Sequence, residues 1–131
     1  MISVELSKIL FVDIETVPQY ASYEQMPQNW QKLWDKKSKS LGFDSPSEAY
    51  PRAGIYAEFG KIICIGMGII SQKNGKKIAK IKTVFGDDET VLLKKFCEII
   101  NKNLDSSDYY LCGHNGKEFD FPYIARRMLI N

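Results

Sequence analysis

The sequence predicts an α/β fold built on one mixed sheet, and three features carry that expectation. Ile9–Val12 is an unbroken apolar run rich in strand formers, the pattern of a strand buried on both faces. Lys61–Ile70 and Ile78–Phe85 flank Asn74-Gly75, the strongest short hairpin signal. A helical pattern over Asp88–Asn103 then leads into a short apolar segment, Tyr109–Gly113. The order is strand, helical insert, hairpin, helix, strand, helix. Three consecutive antiparallel strands followed by a helix crossover place the fourth strand parallel to the first, in a right-handed unit.

Composition sets the class. A chain of 131 residues with 44% hydrophobic and 26% charged residues has the size and balance of one globular domain rather than of a disordered segment. The formal net charge of +2 permits nucleic-acid contact without arguing for it. No apolar run approaches the roughly 18 residues of a membrane span, and no secretory pattern is visible, so a cytoplasmic protein without membrane contact is expected. Cys64, Cys97 and Cys112 lie far apart, each beside an apolar residue and none in a CxxC pair. They are expected to be buried free thiols.

Each element has a local reason. Lys8–Ile14 is the first strand, and Pro18 is expected to lie beyond it, because proline cannot continue a central strand. An excursion from about Thr16 to Phe59 follows. Ser22 can cap a helical turn, and Pro27 fits the first turn of a helix over Gln28–Lys39. Trp30, Leu33, Trp34 and Leu41 form its apolar stripe, a packing pattern rather than a cofactor box. Lys32, Lys36 and Lys39 lie largely off the stripe, as a solvated face or a phosphate-tracking one. Lys37 falls on it and must snorkel. Ser45, Pro46 and Glu48 make a helix start, Pro51 limits that helix, and a further turn is expected over Arg52–Glu58. On the third strand Ile81, Thr83 and Phe85 share one face and Lys80 and Lys82 the other, so one face is expected to meet solvent. Leu92, Leu93, Phe96, Ile99 and Ile100 give the crossover helix its core stripe. Asp105–Asp108 reads as a turn, and Phe121–Leu129 as the last helix.

Asp13 and Glu15 stand where the first apolar run ends. Strand side chains repeat with period 2, so both carboxylates point to one face. Like charges held close disfavour ionisation, and a cation relieves the conflict; hard oxygen donors suit Mg²⁺ or Mn²⁺. Such a pair is also commonly just solvated at a strand end. The second constellation is Gly113-His114-Asn115-Gly116-Lys117-Glu118-Phe119-Asp120, just past the fourth strand. Asp120, near the start of the last helix, reads equally as a cap. With strands one and four parallel, both constellations fall at the same rim of the sheet, where sites in open α/β sheets lie.

Together these motifs resemble the DEDD superfamily of 3′→5′ exonucleases, and most closely the proofreading exonucleases related to family B DNA polymerases. Phe11-Val12-Asp13-Ile14-Glu15-Thr16 resembles the first exonuclease motif, Asp-x-Glu. Asn115-Gly116-Lys117-Glu118-Phe119-Asp120 resembles the second, Asn-x-x-x-Phe-Asp. The resemblance implies a ribonuclease H-like mixed sheet and a single domain over residues 1–131, with a helical insert at about 18–59. It implies a metal-dependent enzyme that removes nucleotides from single-stranded or frayed DNA 3′ ends with two Mg²⁺ or Mn²⁺ ions. By the same resemblance Asp13 bridges the ions, Glu15 binds one and Asp120 the other. Thr16 and Val17 contact the 3′-terminal nucleotide, Asn115 holds the strand end by hydrogen bonding and Phe119 by packing. A polymerase or repair partner would follow. His114, the chain's one histidine, is expected to be structural rather than a general base.

The sequence departs from the family in its third motif. No Tyr or His followed by a fourth carboxylate is found after Arg127, and the fifth strand and closing helix lack counterparts. A C-terminally truncated domain with three of four metal carboxylates is therefore expected, leaving an exposed apolar flank. A non-catalytic nucleic-acid-binding module, or an interaction domain of the same fold, is the alternative.

Overall fold

The computed structural model of the protein describes residues 4–104 and 109–131. Strands β1 (Ile9–Pro18), β2 (Gly60–Lys73), β3 (Lys76–Phe85) and β4 (Tyr110–Cys112) form one sheet in the order β3-β2-β1-β4. Helices α1 (Gln28–Ser40) and α2 (Pro46–Ala49) separate β1 from β2, α3 (Glu89–Asn103) crosses from β3 to β4, and α4 (Asp120–Ile130) follows β4. β2 and β3 pair antiparallel, and β4 runs parallel to β1. This is the mixed sheet expected of a ribonuclease H-like fold. The turn expected at Asp105–Asp108 lies outside the described residues. No described helix is long and apolar enough to cross a membrane.

The chain divides into two compact units, Met1–Glu15 with Ile62–Asn131, and Thr16–Lys61. In the first, β1 alternates as a pleated strand should: Leu10, Val12 and Ile14 are buried, while Asp13 and Glu15 are exposed. Ile65, Met67 and Val84 are buried in β2 and β3, Leu92, Leu93 and Phe96 in α3, and Tyr123 and Ile124 in α4. Asp88 caps α3 by accepting from the Val91 N–H at 3.0 Å. The hairpin turns through Asn74 (φ 52°) and Gly75 (φ 73°), the pair of positive φ values that a two-residue type I′ turn requires.

A buried ion pair ties this unit together. Glu89, at the first turn of α3, accepts from the Arg127 Nε through both oxygens, at 2.9 and 3.0 Å, and from Arg127 Nη2. Its Oε1 also accepts from the Ile62 N–H at 2.7 Å, and its Oε2 from Asn131 Nδ2 at 3.0 Å. One carboxylate thus joins β2, α3 and the last turn of α4.

The second unit is held by aromatics. Trp34 is fully buried, and its ring stands edge-on to Tyr50 (5.8 Å) and Phe59 (5.0 Å). Its indole N–H donates to the Pro46 carbonyl at 2.8 Å. Met26, Ala49 and Ala53 complete the buried cluster, with Trp30, Tyr20, Tyr23, Phe43 and Tyr56 packed against it. The Tyr23 hydroxyl donates to Asp35 at 2.6 Å, a bond that pushes it up to about 12 and keeps it a donor. The Lys37 ammonium on the apolar stripe lies over the Tyr56 ring, 4.3 Å from its centroid, a cation–π contact. Leu33 and Leu41 are exposed, so the stripe narrows to the tryptophans.

Two expectations are corrected, on the extent of β1 and the burial of the cysteines, and a third, the open face of β3, becomes specific. β1 runs on to Pro18, its last residue, so Asp13 and Glu15 lie within the strand rather than at its end. β4 accompanies β1 only from Ile9 to Phe11, and beyond that point a proline removes no bond to β4. On β3 the one buried residue, Val84, shares the lysine face, and Ile81 and Phe85 are 80% and 77% exposed. Their face is the open one, because Gly68, opposite Ile81, looks onto Phe11 and not onto a helix. The cysteines are free, but Cys64 and Cys97 are half-buried and Cys112 is exposed, since the short β4 is exposed along its length.

Candidate active site

The site forms where β4 ends and β1 continues. β4 stops at Cys112, opposite Phe11, and the backbone of β1 beyond that point needs another partner on that side. Asp120 supplies it. Its Oδ1 accepts from the Ile14 N–H at 3.1 Å, across 106 residues of sequence. Asp120 is the first residue of α4 and is buried, 2% exposed. Its carboxylate therefore reaches across to β1, between the two residues that carry the exposed carboxylates Asp13 and Glu15. The bond it makes is to β1, 106 residues away, rather than a local cap within α4.

The loop between β4 and α4 is built to deliver it. Gly113 sits so close to β1 that a Cβ there would stand 2.9 Å from the Val12 carbonyl oxygen and 3.2 Å from the Gly116 Cα. A Cβ on Gly116 would stand 2.9 Å from two ring carbons of Phe121. Asn115 takes φ 55°, the left-handed region that asparagine tolerates better than most residues. Its carbonyl accepts from the N–H groups of Glu118 and Phe119, both at 3.0 Å, and the Gly116 carbonyl accepts from Phe121 N–H at 2.9 Å. The chain is thus folded back tightly before Asp120. Sequence reasoning stopped at the two ends of this motif; the signal for its middle was the pair of glycines three apart around an asparagine. Gly113→Ala is expected to destabilise the protein by about 1–3 kcal/mol, because the added methyl meets backbone that cannot swing away. A thermal melt indistinguishable from wild type would refute that packing.

The remaining site residues are placed as follows. Asn115 is exposed, and Phe119 is half-buried with its ring 5.4 Å from that of Tyr123. His114 is exposed and, with Asp13, Phe11 and Cys112, lines a cleft on the open face of the sheet. Thr16 and Val17 continue β1 into the second unit. There Gly54 lies against the Val17 backbone, where a Cβ would stand 3.0 Å from the Val17 carbonyl carbon. That approach was not foreseen from sequence.

As donors, Asp13, Glu15 and Asp120 offer only carboxylate oxygens, the right chemistry for a hard divalent cation. Among the described residues, however, no three His, Cys, Asp or Glu side chains stand together as a group able to hold a metal. The donor types fit; the three carboxylates are brought to one region but not closed around a point.

A model of the family described as DNA polymerase family B, exonuclease domain, matches residues 28–131. The match takes in Asn115, Phe119 and Asp120 and leaves Asp13, Glu15, Thr16 and Val17 outside it. No curated protein and no solved structure matches the chain.

Proposed function

This chain belongs to the exonuclease-domain family of the family B DNA polymerases, and on that premise we propose that it is a metal-dependent 3′→5′ exonuclease domain acting on single-stranded or frayed DNA ends, beside a polymerase. The single observation that supports placing the site is the Ile14 N–H to Asp120 Oδ1 bond, which sets the second motif's carboxylate against the first motif's strand. Asp13 and Glu15, with Asp120 beside them, would hold Mg²⁺ or Mn²⁺. Bound there, the ions would activate a water and stabilise the leaving 3′ oxygen. Asp13 and Glu15 present exposed oxygens on one face, and Asp120 is fixed by the backbone it bonds. Thr16 and Val17 would meet the terminal nucleotide along β1. Asn115 and Phe119, at the turn into α4, would hold the strand end by hydrogen bonding and packing, without reading sequence.

A second reading is a nucleic-acid-binding module of the same fold that does not cleave. It is favoured by the lack of a closed three-carboxylate group among the described residues. One experiment separates the two. A single-stranded DNA labelled at its 5′ end is incubated with the protein and Mn²⁺. Exonuclease action yields a ladder shortening stepwise from the 3′ end, abolished by EDTA. Retardation of the strand in a gel with no shortening supports the binding module and refutes cleavage.

A further inference from the structure

We propose that the β2–β3 hairpin is a second DNA contact, a lysine grip on the phosphate backbone apart from the carboxylate site. Residues 62–85 contain five lysines, Lys73, Lys76, Lys77, Lys80 and Lys82, and no acidic residue. The whole chain has 18 basic and 16 acidic residues, so with these five set aside 13 basic residues face 16 acidic ones. The positive charge of a nearly neutral protein is gathered on one hairpin. All five lysines are exposed, and none has an ion-pair partner among the described residues.

Their placement is ordered. Lys73 stands directly opposite Lys76, and period-2 alternation puts Lys76, Lys80 and Lys82 on one face of β3. Like charges directly opposite each other destabilise a ladder, so the arrangement opposes hairpin stability until an anion lies between them. Lysines on an edge strand also block strand addition, which accounts for charge on β3. It does not account for Lys73 on the interior strand β2, nor for the lack of any acidic residue on both strands. A strand rises about 3.4 Å per residue, and each DNA strand carries one phosphate per about 3.4 Å of duplex axis. Over the short span from Lys76 to Lys82, ammonium groups and phosphates can therefore keep pace.

Ile65 and Met67, which share the lysine face, are buried, whereas Asp13 lies on the other face with Phe11 and Gly68. The hairpin thus serves duplex away from the reacting end, not the 3′ terminus. The choice of DNA over another polyanion rests on the exonuclease reading; the charge arrangement does not.

The test is fluorescence anisotropy in EDTA with a closed dumbbell duplex, which has no 3′ end. Wild type should bind with a steep salt dependence. The triple variant Lys76→Gln/Lys80→Gln/Lys82→Gln should bind tenfold or more weakly at low salt. Its log–log salt slope should be shallower by about 2.7, from about 0.9 for each phosphate no longer neutralised. Lys94→Gln/Lys95→Gln/Lys102→Gln removes the same charge from exposed positions on α3 and should bind like wild type, with both variants matching its melting curve. No binding by wild type, or equal weakening in the two variants, overturns the proposal. Displacement of the dumbbell by polyglutamate at an equal concentration of charge also overturns it, in favour of an acidic protein segment. Dumbbell binding without 3′ trimming of an open strand would remove the exonuclease reading and leave the hairpin grip standing.

Discussion

Arg127→Met is expected to lower the melting temperature by about 10–20 °C. Arg127 is 2% exposed and Glu89 7%, so removing the guanidinium leaves a carboxylate buried without its cation. Breaking such a pair from one side costs about 3–5 kcal/mol, and at this chain length each kcal/mol moves the midpoint by about 3–5 °C. The double variant Glu89→Gln/Arg127→Met should recover much of the loss. A neutral amide oxygen at position 89 can still accept from the Ile62 N–H, and no charge is stranded. A double variant no more stable than the single one would mean that Arg127 contributes by packing rather than by charge. The pair also sets an acid limit. Burial raises the Glu89 carboxyl, but hydrogen bonds from Arg127, the Ile62 N–H and Asn131, together with the Arg127 charge, outweigh it and leave it below its ordinary 4.5. A carboxyl lowered on folding contributes stability that is complete above its unfolded value and lost as pH falls through the folded one. The wild-type midpoint should therefore drop as pH is taken below 4.5, and Glu89→Gln should lose that part of the drop.

The sheet was legible because its signals are local. The apolar run at Ile9–Val12 and the Asn74-Gly75 turn each follow from period and turn chemistry within a few residues. What escaped depends on distant partners. Nothing near Glu89 announces Arg127, 38 positions later, and without that contact an acidic residue at a helix start reads only as a dipole effect. Which face of β3 is open stayed undecided for the same reason. Alternation tells which residues share a face but not which face meets a helix, and the apolar Ile81 and Phe85 proved to be outside. In the site, the two motifs were readable as spacing. Their meeting rests on a backbone bond, Ile14 N–H to Asp120, whose donor carries no residue-type signal at all.

On the proposed reading, that bond gives Asp120 a structural task that Asp13 lacks, and Asp13→Asn is where the difference should show most. Asp13 is exposed, and its side chain makes no hydrogen bond among the described residues, so the substitution should leave the metal-free stability within about 0.5 kcal/mol of wild type. Removal of like-charge repulsion with Glu15 moves it, if at all, upward. Trimming of a 3′ end in Mn²⁺ should fall by about 10²–10⁴-fold, the loss of several kcal/mol of charge stabilisation at the reacting centre. Mn²⁺ should raise the melting temperature of wild type by mass action and not that of the variant. Asp120→Asn should behave otherwise. An amide oxygen can still accept from the Ile14 N–H, so the fold should persist while the proposed ligand weakens; Asp120→Ala removes the acceptor as well and should destabilise by about 1–3 kcal/mol. Equal Mn²⁺ stabilisation of wild type and Asp13→Asn would place the ion away from β1. Loss of stability in Asp13→Asn without metal would instead make that carboxylate part of the scaffold, and the division between an exposed ligand on β1 and a structural one on α4 would fail.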